Sequence, residues 1–273
     1  AFYGGIIHVS GSNTKINNSN FKESTAFDGG AIYVDGANSN IVDSNFSDLT
    51  SERFGGAIFV SGTDAIINSS SFEDIKSDQG GAIYISGSNA LVYTSTFQDT
   101  TADRGGAIYV FGTYATILQS NFTDILADSN GGAIFVAGSN ANISESVFTS
   151  CDAKKYHGGA IYVEGADTTI EKSNFTLCEG LSKVAQGGAI YVYGANTLIN
   201  DSFFDRCKAI EGGDIYVFGN HAVIEGSEFN SSTANKGGAI YLYAWGAIVR
   251  TSHISDCNAT TDGGAIYVDG GGV

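Results

Sequence analysis

The dipeptide Gly-Gly, followed by Ala-Ile-Tyr-Val or a close variant, occurs eleven times in this chain. It begins at Gly4, Gly29, Gly55, Gly80, Gly105, Gly131, Gly158, Gly187, Gly212, Gly237 and Gly263. The intervals are 25, 26, 25, 25, 26, 27, 29, 25, 25 and 26 residues. A fixed period of this size marks a solenoid, in which one short unit stacks on copies of itself. It also makes function hard to read, because such a scaffold serves many purposes.

Each repeat is numbered here from its first glycine as zero. A Phe stands at +17 in Phe21, Phe46, Phe72, Phe97, Phe122, Phe148, Phe175, Phe204 and Phe229, with Ile254 in the last full repeat. That spacing never varies. All length variation falls between the Phe and the next Gly-Gly, so one corner tolerates insertion while the rest is held in register. Within the fixed part, +3 is always Ile and +5 is Val, Ile or Leu. Polar exceptions fall at even offsets, namely His8 at +4, Asp214 at +2, and Asp35 and Glu164 at +6. Period-2 logic therefore turns Ile and Val inward and the even offsets outward. A second strand is expected over +10 to +13, where +12 is always Ile or Val, and a third around Ser(+15) and Phe(+17).

Three short strands and three turns in about 25 residues describe one coil of an all-β, right-handed parallel β-helix of roughly ten to eleven coils. The hand follows from the preference of parallel crossovers. Eleven rows at about 4.8 Å give a rod of roughly 50 Å. The Gly-Gly pair is expected to supply a positive-φ corner, and Gly at +7 a second one. The leucine-rich-repeat frame is absent. With no Pro in the chain, no ladder donor is missing. No composition shift divides residues 1–273, which read as one elongated domain.

Repeated Gly-Gly-Ala-Ile paired with a Phe element resembles the chlamydial polymorphic outer-membrane proteins. The regular Gly-Gly-Ala-Ile-Tyr-Val…Asn-x-Ser-x-Phe layout is more similar to the adhesin-like surface proteins of methanogenic archaea. Both families belong to the pectin-lyase-like class, and the resemblance covers essentially the whole chain. The chlamydial Phe-x-x-Asn is not kept, since Phe+3 is Ser24, Leu49, Ile75, Thr100, Ile125, Cys151, Cys178, Cys207, Ser232 or, after Ile254, Cys257. The resemblance implies an extracellular or cell-surface location and a structural or adhesive role.

Net charge is −16, with only 13 Lys and Arg. Nucleic-acid binding needs clustered cations to displace counterions, so it is excluded, and anionic membranes are disfavoured. No apolar run reaches the roughly 20 residues of a membrane span. The chain opens on Ala1 without a signal-peptide pattern and closes on Val268 to Val273 without a polar cap, so it is expected to be a mature product or a segment.

The heaviest functional candidate is the aromatic column at +4, comprising Tyr33, Phe59, Tyr84, Tyr109, Phe135, Tyr162, Tyr191, Tyr216, Tyr241 and Tyr267. By parity it faces outward, with Phe111, Tyr193, Phe218 and Tyr243 at +6 on the same face. A self-stacking ladder is the plain reading. An exposed contact strip is the functional one, engaging a second copy, another surface protein or a glycan.

Four cysteines share one column, Cys151, Cys178, Cys207 and Cys257. Buried free thiols are expected, with one strained bridge, 151–178 or 178–207, as the alternative. Acidic residues align at Phe+2 in Glu23, Asp48, Asp74, Asp99 and Asp124. They form a solvated acidic corner, or else a row that Ca²⁺ bridges; no other cofactor is expected. Asn-x-Ser/Thr occurs at Asn17, Asn45, Asn68, Asn121, Asn142, Asn174, Asn200, Asn230 and Asn258. Structural Asn ladders compete there with N-glycosylation. Coils six and seven carry the longest insertions, and the first holds Lys154, Lys155, Tyr156 and His157. With Lys172 and Lys183 these make a candidate anion or glycan patch, against the plainer reading of a tolerated bulge.

β-Helix polysaccharide lyases and hydrolases need converging carboxylates and basic residues in a cleft of long loops. Here the corners are short, so the expectation is no enzyme. The alternatives are a sheath or filament subunit that assembles through its ends or its aromatic face, and a polysaccharide-processing enzyme.

Overall fold

The structure, a computed structural model, describes residues 1–272; Val273, part of the closing segment noted above, lies outside the described residues. Each coil contributes three strands, mostly of three residues. In the first coil they are Ile7–Val9, Lys15–Asn17 and Asn20–Lys22. Each strand pairs in parallel and in register with its equivalent one coil later, as in Ile32↔Ile58, Tyr33↔Phe59 and Val34↔Val60. The result is a parallel β-solenoid with three long sheets of eleven, ten and twelve strands. The first is built on +3 to +5, the second on +11 to +13 and the third around +17. The last also gains short strands from the variable corner. Two further pairs, Thr25–Asp28 with Thr50–Phe54 and Thr233–Lys236 with Asn258–Asp262, extend that corner.

The core is a set of one-residue columns. Ile at +3, Val at +5, Ile or Val at +12 and Phe at +17 stack from coil to coil in one continuous cluster. The Phe rings lie face to face, with neighbouring centroids 4.7–4.9 Å apart from Phe21 to Phe229. Ser at +15 forms a second internal ladder. Each hydroxyl donates to the carbonyl two residues back and accepts the N–H of the Ser one coil earlier, as Ser70 does from Ser44 at 3.2 Å. Within the row, the hydroxyls and the N–H groups they accept are thereby satisfied without water.

Each coil turns at four left-handed residues, of which only the first is regularly glycine. In the first coil they are Gly4, Asn13, Asn18 and Glu23, with φ of 58°, 60°, 48° and 55°. The Gly-Gly corner stands as expected. The +7 glycines do not: the positive φ sits two residues later, at +9. Glycine at +7 is needed for space, since a Cβ on Gly62 would run into the carbonyl of Gly36. The parity argument also fails at +2. That residue precedes the three-residue strand, and its Ala side chains are fully buried in the core, as at Ala57 and Ala107. Asp214 follows them inward.

Candidate functional site

The +4 column is outside the core, as parity requires, but it is not an exposed strip. Phe59, Tyr84, Tyr109, Phe135, Tyr191, Tyr216 and Tyr241 are buried, and Tyr33, Tyr162 and Tyr267 are half-buried. Two causes act together. The rings stack on one another, with centroids 4.6–5.4 Å apart from Tyr33 to Tyr267. In several coils the residue just before Gly-Gly then lies against the +4 ring of the following coil. Phe54 stacks on Tyr84 at 4.4 Å, and His157 stacks on Tyr191 at 4.7 Å. The Arg104 guanidinium lies over Phe135, and the Lys236 ammonium over Tyr267. Burial pushes the Tyr84 hydroxyl up to about 12, so these tyrosines stay neutral at physiological pH. The column is a second, outer core.

What solvent does reach is the +6 row beside it. Tyr193, Phe218 and Tyr243 are 50%, 41% and 47% exposed and occupy three consecutive coils. Their centroids are 5.4 and 5.6 Å apart, with interplanar angles of 1° and 27°. Trp245, 67% exposed, stands at +8 of the third of these coils. Phe111 and Tyr114 form a smaller exposed pair three coils earlier. Trp245 and Tyr114 escaped the sequence reading. Their signal was a large aromatic residue in columns otherwise held by small or polar residues.

The basic cluster of the first insertion is dispersed. Lys154 pairs with Asp128 at 2.8 Å, while His157 belongs to the row that covers the aromatic column. Loss of hydration pushes the His157 ring down to about 4. Above pH 6.5 the ring is neutral whether folded or unfolded. As pH falls from 6.5 towards 4, the unfolded chain gains a proton that the folded state refuses, so His157 costs stability in that window. The full shift would exceed 3 kcal/mol, but the ring is only half-buried, and about 1–2 kcal/mol is expected after screening. Asp152, pushed up to about 6 by burial, has the opposite sign: its penalty appears as pH rises from 3.8 towards 6. The difference between wild type and His157→Gln isolates the histidine, and Gln79 and Gln186 already occupy equivalent positions. Between pH 7 and pH 4 the unfolding free energy of the Gln variant, from urea denaturation, is expected to gain on wild type by that amount.

The four thiols face inward and are free; neither the 151–178 nor the 178–207 bridge is formed. Cys151, Cys178 and Cys207 are buried, and each Sγ donates to backbone carbonyls, as Cys151 does to Thr149 at 3.6 Å. In-register parallel strands hold side chains side by side and do not bring the Cβ atoms together. Asp214 is fully buried nearby and takes the Ser232 hydroxyl at 2.6 Å; its other oxygen has no partner among the described residues. Burial raises its carboxyl well above the ordinary range, which favours the protonated form.

The acidic column has a conformational origin. Asp48, Asp74, Asp99 and Asp124 are exposed and occupy the left-handed corner at φ 51–54°. Asp is one of the residues that tolerate this region, and Ser150 and Arg206 replace it in later coils at the same φ. Among the described residues, no three His, Cys, Asp or Glu side chains are grouped to hold a metal. A shallow groove of about 350 Å³ on the variable corner brings together Lys76, Asp78, Asp103, Asp128 and Lys154. Burial first, and Asp103 second, raise the Asp78 carboxyl. Asp103 itself accepts the Ser129 hydroxyl at 2.6 Å. The groove carries both signs of charge and lies away from the aromatic row.

None of the nine sequon asparagines is buried. Asn45, Asn121 and Asn174 begin strands of the third sheet, while Asn17, Asn68, Asn142 and Asn200 lie on the second. Asn230 ends a strand of the third sheet, and Asn258 opens a strand on the variable corner.

Residues 81–210 match the family model described as a right handed beta helix region. No curated protein matches the chain. The match agrees in architecture with the parallel solenoid described above. It speaks to the fold, which carries catalysts and non-catalysts alike.

Proposed function

We propose that this chain is an extracellular or cell-surface β-solenoid with a structural or adhesive role, non-catalytic, which makes lateral contacts through Tyr193, Phe218, Tyr243 and Trp245. The exposure of four large aromatic side chains in three adjoining coils carries the reading. A patch of that kind marks a partner surface more often than a free one. The partner is a protein surface, a second copy included. Stacking of the three rings covers both faces of Phe218, whereas a sugar would stack on a free ring face. The net charge of −16 makes two copies repel at low salt, so self-association is expected to strengthen as salt rises.

The test compares two triple variants. Tyr193→Ser/Phe218→Ser/Tyr243→Ser removes the exposed row and is expected to abolish concentration-dependent association, or binding to the partner surface, with the melting temperature nearly unchanged. Tyr191→Ser/Tyr216→Ser/Tyr241→Ser removes the covered column and is expected to cost several kcal/mol of stability. Association that survives loss of the exposed row would sink the contact assignment. A filament subunit remains the second reading, distinguished by open-ended growth in sedimentation and electron microscopy. Release of unsaturated or reducing sugar ends, lost in Asp78→Asn/Asp103→Asn, would replace both with an enzyme centred on the corner groove.

A further inference from the structure

We propose that Asn121, Asn45 and Asn174 carry N-linked glycans, and that the first sugar at Asn121 lies in a shallow trough on the outer face of the third sheet. This rests on the extracellular reading above. In each case the sequon straddles an inward Phe, so the Asn and the hydroxyl residue two positions on share the solvent side of one strand. All three asparagines are exposed. The paired hydroxyls, Ser47, Thr123 and Thr176, make no hydrogen bond among the described residues, and neither do the side-chain amides of Asn121 and Asn174. The Asn45 amide oxygen accepts from Ser71, which leaves its nitrogen free.

Most of the other sequons are spoken for by the fold. The hydroxyl residues of the Asn17, Asn68 and Asn200 sequons are members of the serine ladder, each donating to the carbonyl of its own sequon asparagine. The Asn142 amide oxygen is buried without a partner. The Asn230 amide nitrogen, the atom that would bear the sugar, donates to Asp205 at 2.8 Å. At Asn258 the sequon threonine, Thr260, donates to Asn235. Asn121 has an additional feature. It borders a trough of about 230 Å³ whose polar side chains include Thr96, Gln98, Thr123 and Glu73. These are hydroxyl, amide and carboxylate groups of the kind that hydrogen-bond a pyranose ring.

The attachment forms a bond between the asparagine Nδ2 and the anomeric carbon of a lipid-phosphate-linked oligosaccharide. The bond from that carbon to the phosphate oxygen breaks, the lipid phosphate leaves with the electron pair, and Nδ2 gives up one proton. The three sites fall in coils two, five and seven, about 14 and 10 Å apart along the axis at ~4.8 Å per coil. One side of the rod is then clothed while the aromatic row beside the first sheet stays bare.

The test is fractionation of the native cells followed by glycopeptide mapping of the recovered protein. Occupancy is expected at Asn45, Asn121 and Asn174, with Asn68, Asn142, Asn200 and Asn230 bare. Thr123→Ala, which leaves Asn121 in place, is expected to lose the glycan at Asn121 alone. A surface protein bare at the three sites, or one modified equally at Asn142 and Asn200, overturns the assignment. A cytoplasmic, unmodified protein overturns the location and this inference with it.

Discussion

Gly132→Ala is expected to destabilise the rod by more than about 4 kcal/mol, the range reserved for a few severe mechanisms. Gly132 is the second glycine of its pair. A Cβ there would run into the carbonyl of Gly159 in the next coil and would sit 2.6–2.7 Å from the backbone of Asp152. Both obstacles are main chain in a hydrogen-bonded ladder, so neither can swing aside. Relief requires the coils to separate, which breaks ladder bonds on either side. Gly226→Asn is the control. Gly226 also has a positive φ, at 60°, but its obstacle is the flexible Asp201 side chain, and Asn18 occupies the equivalent corner of the first coil. A change within about 0.5 kcal/mol is expected there. Urea denaturation with hydrogen exchange across residues 130–160 reads both. A Gly132→Ala protein with wild-type protection would refute the close-approach argument.

The second large effect belongs to Phe122. Its ring is fully buried between Phe97 at 4.8 Å and Phe148 at 4.7 Å. Truncation to Ala leaves a cavity and breaks two stacked pairs, for an expected loss of about 4–5 kcal/mol. Phe122→Leu refills much of the volume and should recover more than half of that. Phe218→Ala, in the exposed row, should cost less than about 0.5 kcal/mol. Because a solenoid unfolds locally, the loss should appear first as faster exchange in the coils around residue 122. Equal losses for Phe122→Ala and Phe218→Ala would contradict the two-layer picture of its aromatics.

The period, the three strands and the inward Ile, Val and Phe columns were legible because identical residues must stack on identical residues in register. Phe at +17 keeps its spacing to Gly-Gly through every full repeat that holds it, as in-register stacking requires. Parity misled wherever it was carried past a three-residue strand. Ala at +2 and Asp214 were placed outward on that basis, although they sit on the turn into the strand. The cover over the +4 rings was hidden for a different reason. It comes from a non-repeating column in which long side chains of unlike chemistry, such as Phe54, Arg104, His157 and Lys236, are mixed with short ones such as Asp28 and Asn130. A long side chain immediately before Gly-Gly was the available sign. The acidic column misled because Asp serves a backbone angle there, and a single sequence does not separate that need from a need for charge.

The register that makes the rod uniform also makes its strength depend on direction. The ladder bonds join residues about one coil apart, and each coil is tied to its immediate neighbours. A pull applied along the backbone therefore meets one coil at a time. It unthreads that coil and pays out about 25 residues, roughly 80–90 Å of slack at 3.3–3.6 Å each, before the next coil is loaded. A pull directed across the rod instead meets all three ladders and both aromatic stacks at once. The molecule is a yielding tether lengthwise and a stiff beam sideways.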